Sequence, residues 1–134
     1  MIDARELMIG NWVYDGTHTQ FPFYVQTIAD DYVYLNFKGN EGDVWESSPA
    51  ELEGIPLTDD IMKRMGFTQT YGLWRKNAGG RLIAVRCDSS FVSIEAFEDK
   101  LLDSRCTCHG VRYVHQLQNL YRMIAKKELK IDFE

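Results

Sequence analysis

The sequence predicts an α+β fold: an N-terminal small SH3-like β-barrel, a short linking helix, and an antiparallel sheet covered by a C-terminal amphipathic helix. Three observations predict it. Apolar and polar residues alternate in four short runs between Met8 and Ser47, the period of strands with one buried face. A second group of alternating runs lies between Phe67 and Phe97. Val114, Leu117, Leu120, Tyr121 and Ile124 then recur at helical spacing and form one apolar stripe.

Taken in order, "MIGNWVYDG" reads as a first strand ended by the turn pair Asp15 and Gly16. "QFPFYVQTI" reads as a second, with Phe21, Phe23 and Val25 on one side. Pro22 has no N–H for a ladder, which places that end of the strand at a sheet edge. "YVYLNFK" directs Val33, Leu35 and Phe37 inward, and "GNEG" turns into "DVWESS". Four short strands at such close spacing suit a small curved barrel. In "ELEGIPLTDDIMKRMGF", Thr58 is a good N-cap, Asp59 and Asp60 favour a helix start, and Leu57 can staple onto Met62. A short helix over residues 59–65 follows, ended by Gly66. Gly54 and Pro56 mark a linker, dividing the chain into a barrel subdomain, residues 1–54, and an α+β subdomain, residues 55–134. The latter opens with a hairpin about Tyr71 and Gly72 and continues through "RLIAVRC" and "FVSIEAF". The long helix is expected over residues 112–127, with "LKIDF" returning as a short edge strand.

Composition bounds the function. The 134 residues are 45% hydrophobic and 13% aromatic, ample for a packed interior and unlike a disordered chain. A formal charge of -5 supplies no global positive field, which disfavours nucleic acid as a partner. An odd count of three cysteines, with no basic, apolar and small-residue succession at the start, points to a reducing, cytoplasmic setting. No apolar run approaches the roughly 20 residues that cross a bilayer, so no membrane role is expected.

The sharpest chemical lead is "CTCH" followed by a second histidine: Cys106, Cys108, His109 and His115. Zinc knuckles space their paired cysteines by two to four residues so that both sulfurs converge. A one-residue gap on a strand instead points both side chains to one face, so no metal site and no cofactor is expected. Cys106 and Cys108 are read as small core residues on the buried side of a last strand. Cys87 or Cys106 could serve as a nucleophile with His115 as base, but no nucleophile elbow supports the pairing, and no catalytic residue is assigned.

Two surfaces remain as candidates for binding a ligand or partner. In Tyr32-Val33-Tyr34-Leu35 the apolar residues claim the inside, which leaves Tyr32 and Tyr34 either on an outer, sticky face or in the seam between the two halves. On the long helix, His115, Gln118, Asn119 and Arg122 oppose the apolar stripe. Amides and a neutral imidazole both donate and accept, so they suit a partly buried face, covered by a neighbouring strand or by a second copy of the chain in a homo-oligomer. The alternative is a solvated face that happens to carry amides. Arg112, with Arg75, Lys76, Arg81, Arg86 and Arg105, could supply the cations a nucleotide-like ligand needs.

"ELMIGNWVY", "EGIPLTDDIMKRMGF" and "YVHQLQNLYRMIAKKEL", in that order, resemble a family of small uncharacterised proteins common in gut anaerobic bacteria and in their phages and mobile elements. The resemblance spans most of the chain and implies a small phage or mobile-element accessory protein. The reading that follows is a non-catalytic binding module, with anti-defence as one form, acting on a host protein or on a small nucleotide-like ligand. A nucleic-acid-associated accessory protein is the alternative, and a Cys/His enzyme the second alternative.

Overall fold

Alternation becomes strands wherever the inward positions find one another. The computed structural model describes residues 2–16, 18–37, 43–98 and 101–133. It is a mixed α+β chain with two antiparallel sheets, the first curled into a half-barrel, and a C-terminal helix. The chain divides into two compact units, one of residues 1–56 and 113–119, the other of residues 57–112 and 120–134.

In the first unit, β1 (Trp12–Asp15), β2 (His18–Ile28), β3 (Val33–Asn36), β4 (Trp45–Ser47) and the short β5 (Leu52–Glu53) are arranged β4-β3-β2-β1-β5. Val13, Val25, Val33, Leu35 and Leu52 are fully buried and form one cluster with Ile2, Leu7 and Phe23. Each such side chain contributes about 1.5–3 kcal/mol of hydrophobic stabilisation. Register shifts between Tyr14 and Asp15 and between Val25 and Thr27 bend the sheet, as bulges do in small barrels. Pro22 pairs with Tyr14 on the stretch of β2 that runs past its pairing with β3, which begins at Tyr24.

The second unit opens with α1 (Asp59–Arg64), whose cap Thr58 accepts from the Ile61 N–H at 3.3 Å. A meander follows, β6 (Thr68–Thr70), β7 (Leu73–Ala78), β8 (Arg81–Arg86), β9 (Phe91–Glu98) and β10 (Leu101–His109), hydrogen-bonded in sequence order. Two of its connections are two-residue turns with positive φ at both positions, Tyr71-Gly72 (52° and 79°) and Gly79-Gly80 (61° and 88°). That geometry matches the twist of the flanking strands. Trp74, Ile83, Val85 and Val92 are buried, and the Trp74 indole donates to the Asp59 carboxylate at 3.0 Å.

The long helix α2 (Val114–Ala125) is shorter at both ends than residues 112–127. Its second half belongs to the second unit, where the Tyr121 hydroxyl donates to the Asn77 carbonyl at 3.3 Å and Ala125 lies against Gly79. Lys126, at φ 58°, ends it. "LKIDF" does not return as a strand: residues 129–133 carry no ladder. Instead the Asp132 N–H donates to the Arg64 carbonyl at 3.2 Å and the Arg64 guanidinium donates to the Asp132 carbonyl at 2.9 Å, while Leu129 is buried. The end of α1 had unpaired carbonyls to offer, and the tail satisfies one of them.

Gly54 gives the first prediction. A Cβ at this position would fall on the Tyr113 ring, far inside van der Waals contact. Gly54→Ala is expected to destabilise the chain by about 1–3 kcal/mol, seen as a lower urea midpoint at unchanged slope. In the Tyr113→Ala background the same change should cost almost nothing.

Candidate functional site

The polar face of α2 meets the chain's own N-terminal segment. Between a 3-10 turn at Ala4–Glu6 and β1, the backbone runs through Leu7, Gly10 (φ 96°) and Asn11, whose side-chain oxygen accepts from the Met8 N–H at 2.7 Å. Gln118 reads this segment like a strand residue. Its Oε1 accepts from the Trp12 N–H at 2.9 Å, and its Nε2 donates to the Gly10 carbonyl at 3.3 Å. Asn119 donates to the Glu6 carbonyl at 2.7 Å and accepts from the Asn11 side chain at 2.8 Å. The face is covered, and the cover is residues 6–12 of the same chain. Arg122 is exposed and lies 4.0 Å from the Glu128 carboxylate.

His115 is the most enclosed of the four at 1% exposed. Its Nε2 lies 3.3 Å from the Glu6 carboxylate and its ring stacks on Tyr113 at 5.9 Å. Nδ1 meets no hydrogen-bond partner among the described residues. Burial pushes the imidazole below its ordinary value, against the opposing pull of Glu6. A proton on Nδ1 would create a buried N–H with nothing to accept it.

The tyrosines occupy the outer face of the half-barrel. Val33 and Leu35 are fully buried, Tyr34 is half-buried and Tyr32 is exposed. The two rings meet edge to face at 5.2 Å, and the Tyr34 hydroxyl is pushed up by its hydrogen bond to Tyr32 and, more weakly, by the nearby Glu46 carboxylate.

The inner face ends in a second aromatic group, of which sequence reading placed Phe21 and Phe23 on one side with Val25 and directed Phe37 inward with Val33 and Leu35. Phe21 packs on Phe23 and on Phe37 at 5.2 Å each, and Phe23 stacks on Trp45 at 6.2 Å. Phe23 is buried, yet Phe21 is 46% exposed and Trp45 41%. The Trp45 indole donates at 2.8 Å to Asp15, a carboxylate only 1% exposed. The register brings these rings together at one end of the sheet: Leu35 pairs with both Val25 and Trp45, and Phe23 and Phe37 are the next inward positions in the same direction. The signal was available in the sequence as inward aromatic positions at the ends of three runs.

The cysteines differ from their expected place. Cys106 is exposed and Cys108 half-buried, both on β10, rather than in the core. Burial first, and then Cys106, pushes the Cys108 thiol up. Burial, then Asp59 and Asp88, pushes Cys87 up to about 11. His109 lies edge-on to Phe91 at 5.3 Å. Arg112 is exposed, and its carbonyl accepts from the Leu57 N–H at 3.0 Å. Among the described residues no three His, Cys, Asp or Glu side chains are placed to hold one metal ion, and no helix is long and apolar enough to cross a membrane.

Comparison with protein-family models, with curated proteins and with solved structures finds no match.

Two predictions follow from the helix face. Gln118→Ala strips partners from the Trp12 N–H and the Gly10 carbonyl, and thermal melts should report a loss of about 1–3 kcal/mol, whereas Arg122→Ala should stay within about 0.5 kcal/mol of the parent. His115, with its folded pKa below the ordinary 6.5, binds its proton more readily in the unfolded chain. Its contribution is therefore intact above 6.5 and is lost as pH falls below that value. The melting temperature of the parent should drop more steeply from pH 7.5 to pH 5.5 than that of His115→Gln.

Proposed function

We propose that the chain is a non-catalytic binding module that engages a host protein through the aromatic end of its half-barrel. The observation that carries this reading is the cluster of Phe21, Phe23, Phe37 and Trp45, in which two large rings remain nearly half exposed. Apolar surface left in water forgoes about 25 cal/mol per Å², and a contiguous aromatic patch is the kind of surface that a partner covers. The Trp45 ring is fixed by its bond to Asp15, so little side-chain freedom is lost on binding.

Charge chooses among the partner classes. A nucleotide-like ligand or a nucleic acid needs cations beside the rings. Here a carboxylate accompanies each aromatic group, Asp15 at Trp45 and Glu46 at Tyr34. Both favour a protein surface over a phosphate. The enzyme reading is weakened by positive observations as well. The Cys87 and Cys108 thiols are pushed away from thiolate, and His115 is enclosed and held against Glu6. The sequence resemblance to phage and mobile-element proteins suggests an accessory role for such a module, with anti-defence as the specific role we propose.

Affinity capture from the lysate of a gut anaerobe tests the reading. One host protein should be retained by the parent chain and fall at least about tenfold with Phe21→Ala, as expected for loss of an interface anchor, while Arg122→Ala retains it fully. Equal capture by all three, or a nucleotide carried through native purification in place of a protein, would overturn it.

A further inference from the structure

β10 is the outermost strand of the second sheet and carries two thiols on one face. Cys106 pairs with Ile94 and Cys108 with Val92 across the β9–β10 ladder. Val92 is buried and Ile94 half-buried, so the cross-strand neighbours of both cysteines are hydrocarbon. The charged pair nearby, Arg105 with Glu95 at 3.1 Å, belongs to the alternate positions and hence to the opposite face. So does His109, which lies against Phe91. Positions two apart on a strand put both sulfurs on the same side of the sheet, and Cys106 is open to solvent.

We propose that Cys106 and Cys108 form a two-coordinate site for a soft monovalent d10 cation, with Cu(I) as its physiological member. Thiolates select soft ions over hard ones. Cys106 and Cys108 supply two sulfur donors, half of the four ligands that zinc takes in closed sites. A disulfide fits this spacing less well. Same-face neighbours on an extended strand have Cα atoms about 6.6–6.8 Å apart, at the upper limit for an S–S bridge. A metal ion bridging the sulfurs holds them farther apart than a direct S–S bond of about 2.0 Å does, and so asks less of the backbone. The reaction is an exchange without electron transfer: two S–H bonds break, two S–metal bonds form, two protons leave to water, and the cation keeps its charge. The cation offsets one of the two thiolate charges, and the remaining single negative charge is open to water at Cys106.

The test is a titration of the reduced chain under anaerobic conditions with Cu(I), against a chromophoric Cu(I) chelator. The parent and Cys87→Ser should each withdraw one ion per chain. Cys106→Ser and Cys108→Ser should each weaken uptake by about 100-fold or more, because a chelate reduced to one ligand loses its gain in effective concentration. Serine nearly preserves the shape of each side chain, and melts of the variants confirm that they remain folded. No withdrawal from the chelator by the parent, equal uptake by Cys106→Ser, or loss of uptake in Cys87→Ser would overturn the proposal.

Discussion

The carboxamide of Gln118 is the contact on which the N-terminal unit is organised. β1 has β2 along one side, but on its other side β5 reaches only Tyr14 and Asp15. The Trp12 N–H and the Gly10 carbonyl would otherwise be ladder groups without a ladder, and buried backbone groups left so cost about 1–3 kcal/mol each. Gln118 answers both from a helix more than 100 residues later in the chain, and Asn119 extends the same work to Glu6 and Asn11. Neither glutamate nor lysine could replace them, since one end of each pair must donate and the other accept. The neutral character of this helix face is thus a requirement of the backbone it meets.

A half-barrel has an inner face that continues past its core. Where the first sheet closes around Val13, Val25, Leu35 and Leu52, the inner residues are fully buried. At the end marked by Phe21, Phe37 and Trp45 the same alternation goes on, and the rings are only partly covered. The core and the exposed aromatic surface are therefore one stripe read along the same strands. One pattern supplies both the stability of the unit and the surface we assign to partner binding.

This continuity explains what could be read in advance. Alternation located the strands, and the Thr58 cap with its two aspartates located α1, because each signal lies within a few residues of the element it specifies. The polar face of α2 could be recognised as unusual, and its need for cover inferred, although its partner segment could not be named from so far along the chain. Asp15 was read as a turn residue, and its burial beneath Trp45 depends on a contact 30 residues distant. The tail fared likewise: "LKIDF" has strand-like alternation, but Arg64 and Asp132 hold it to the end of α1 through backbone groups that leave no trace in side-chain patterning. Cys106 and Cys108 share a face as their spacing requires, yet that face lies on an edge strand, and strand order is not written in local sequence.

Trp45 and Phe21 contribute differently to the aromatic end. The Trp45 indole is a donor to a carboxylate almost fully removed from water, and a phenylalanine there would preserve the apolar area while withdrawing a hydrogen bond from a buried charge. That loss is among the more costly kinds. Tryptophan at this position therefore serves the fold as well as the surface. Phe21 has no polar group to satisfy, and its ring packs on Phe23 and Phe37. Stability and recognition are coupled at Trp45 and separable at Phe21, so the contribution of the aromatic surface to binding is read most cleanly from the phenylalanine.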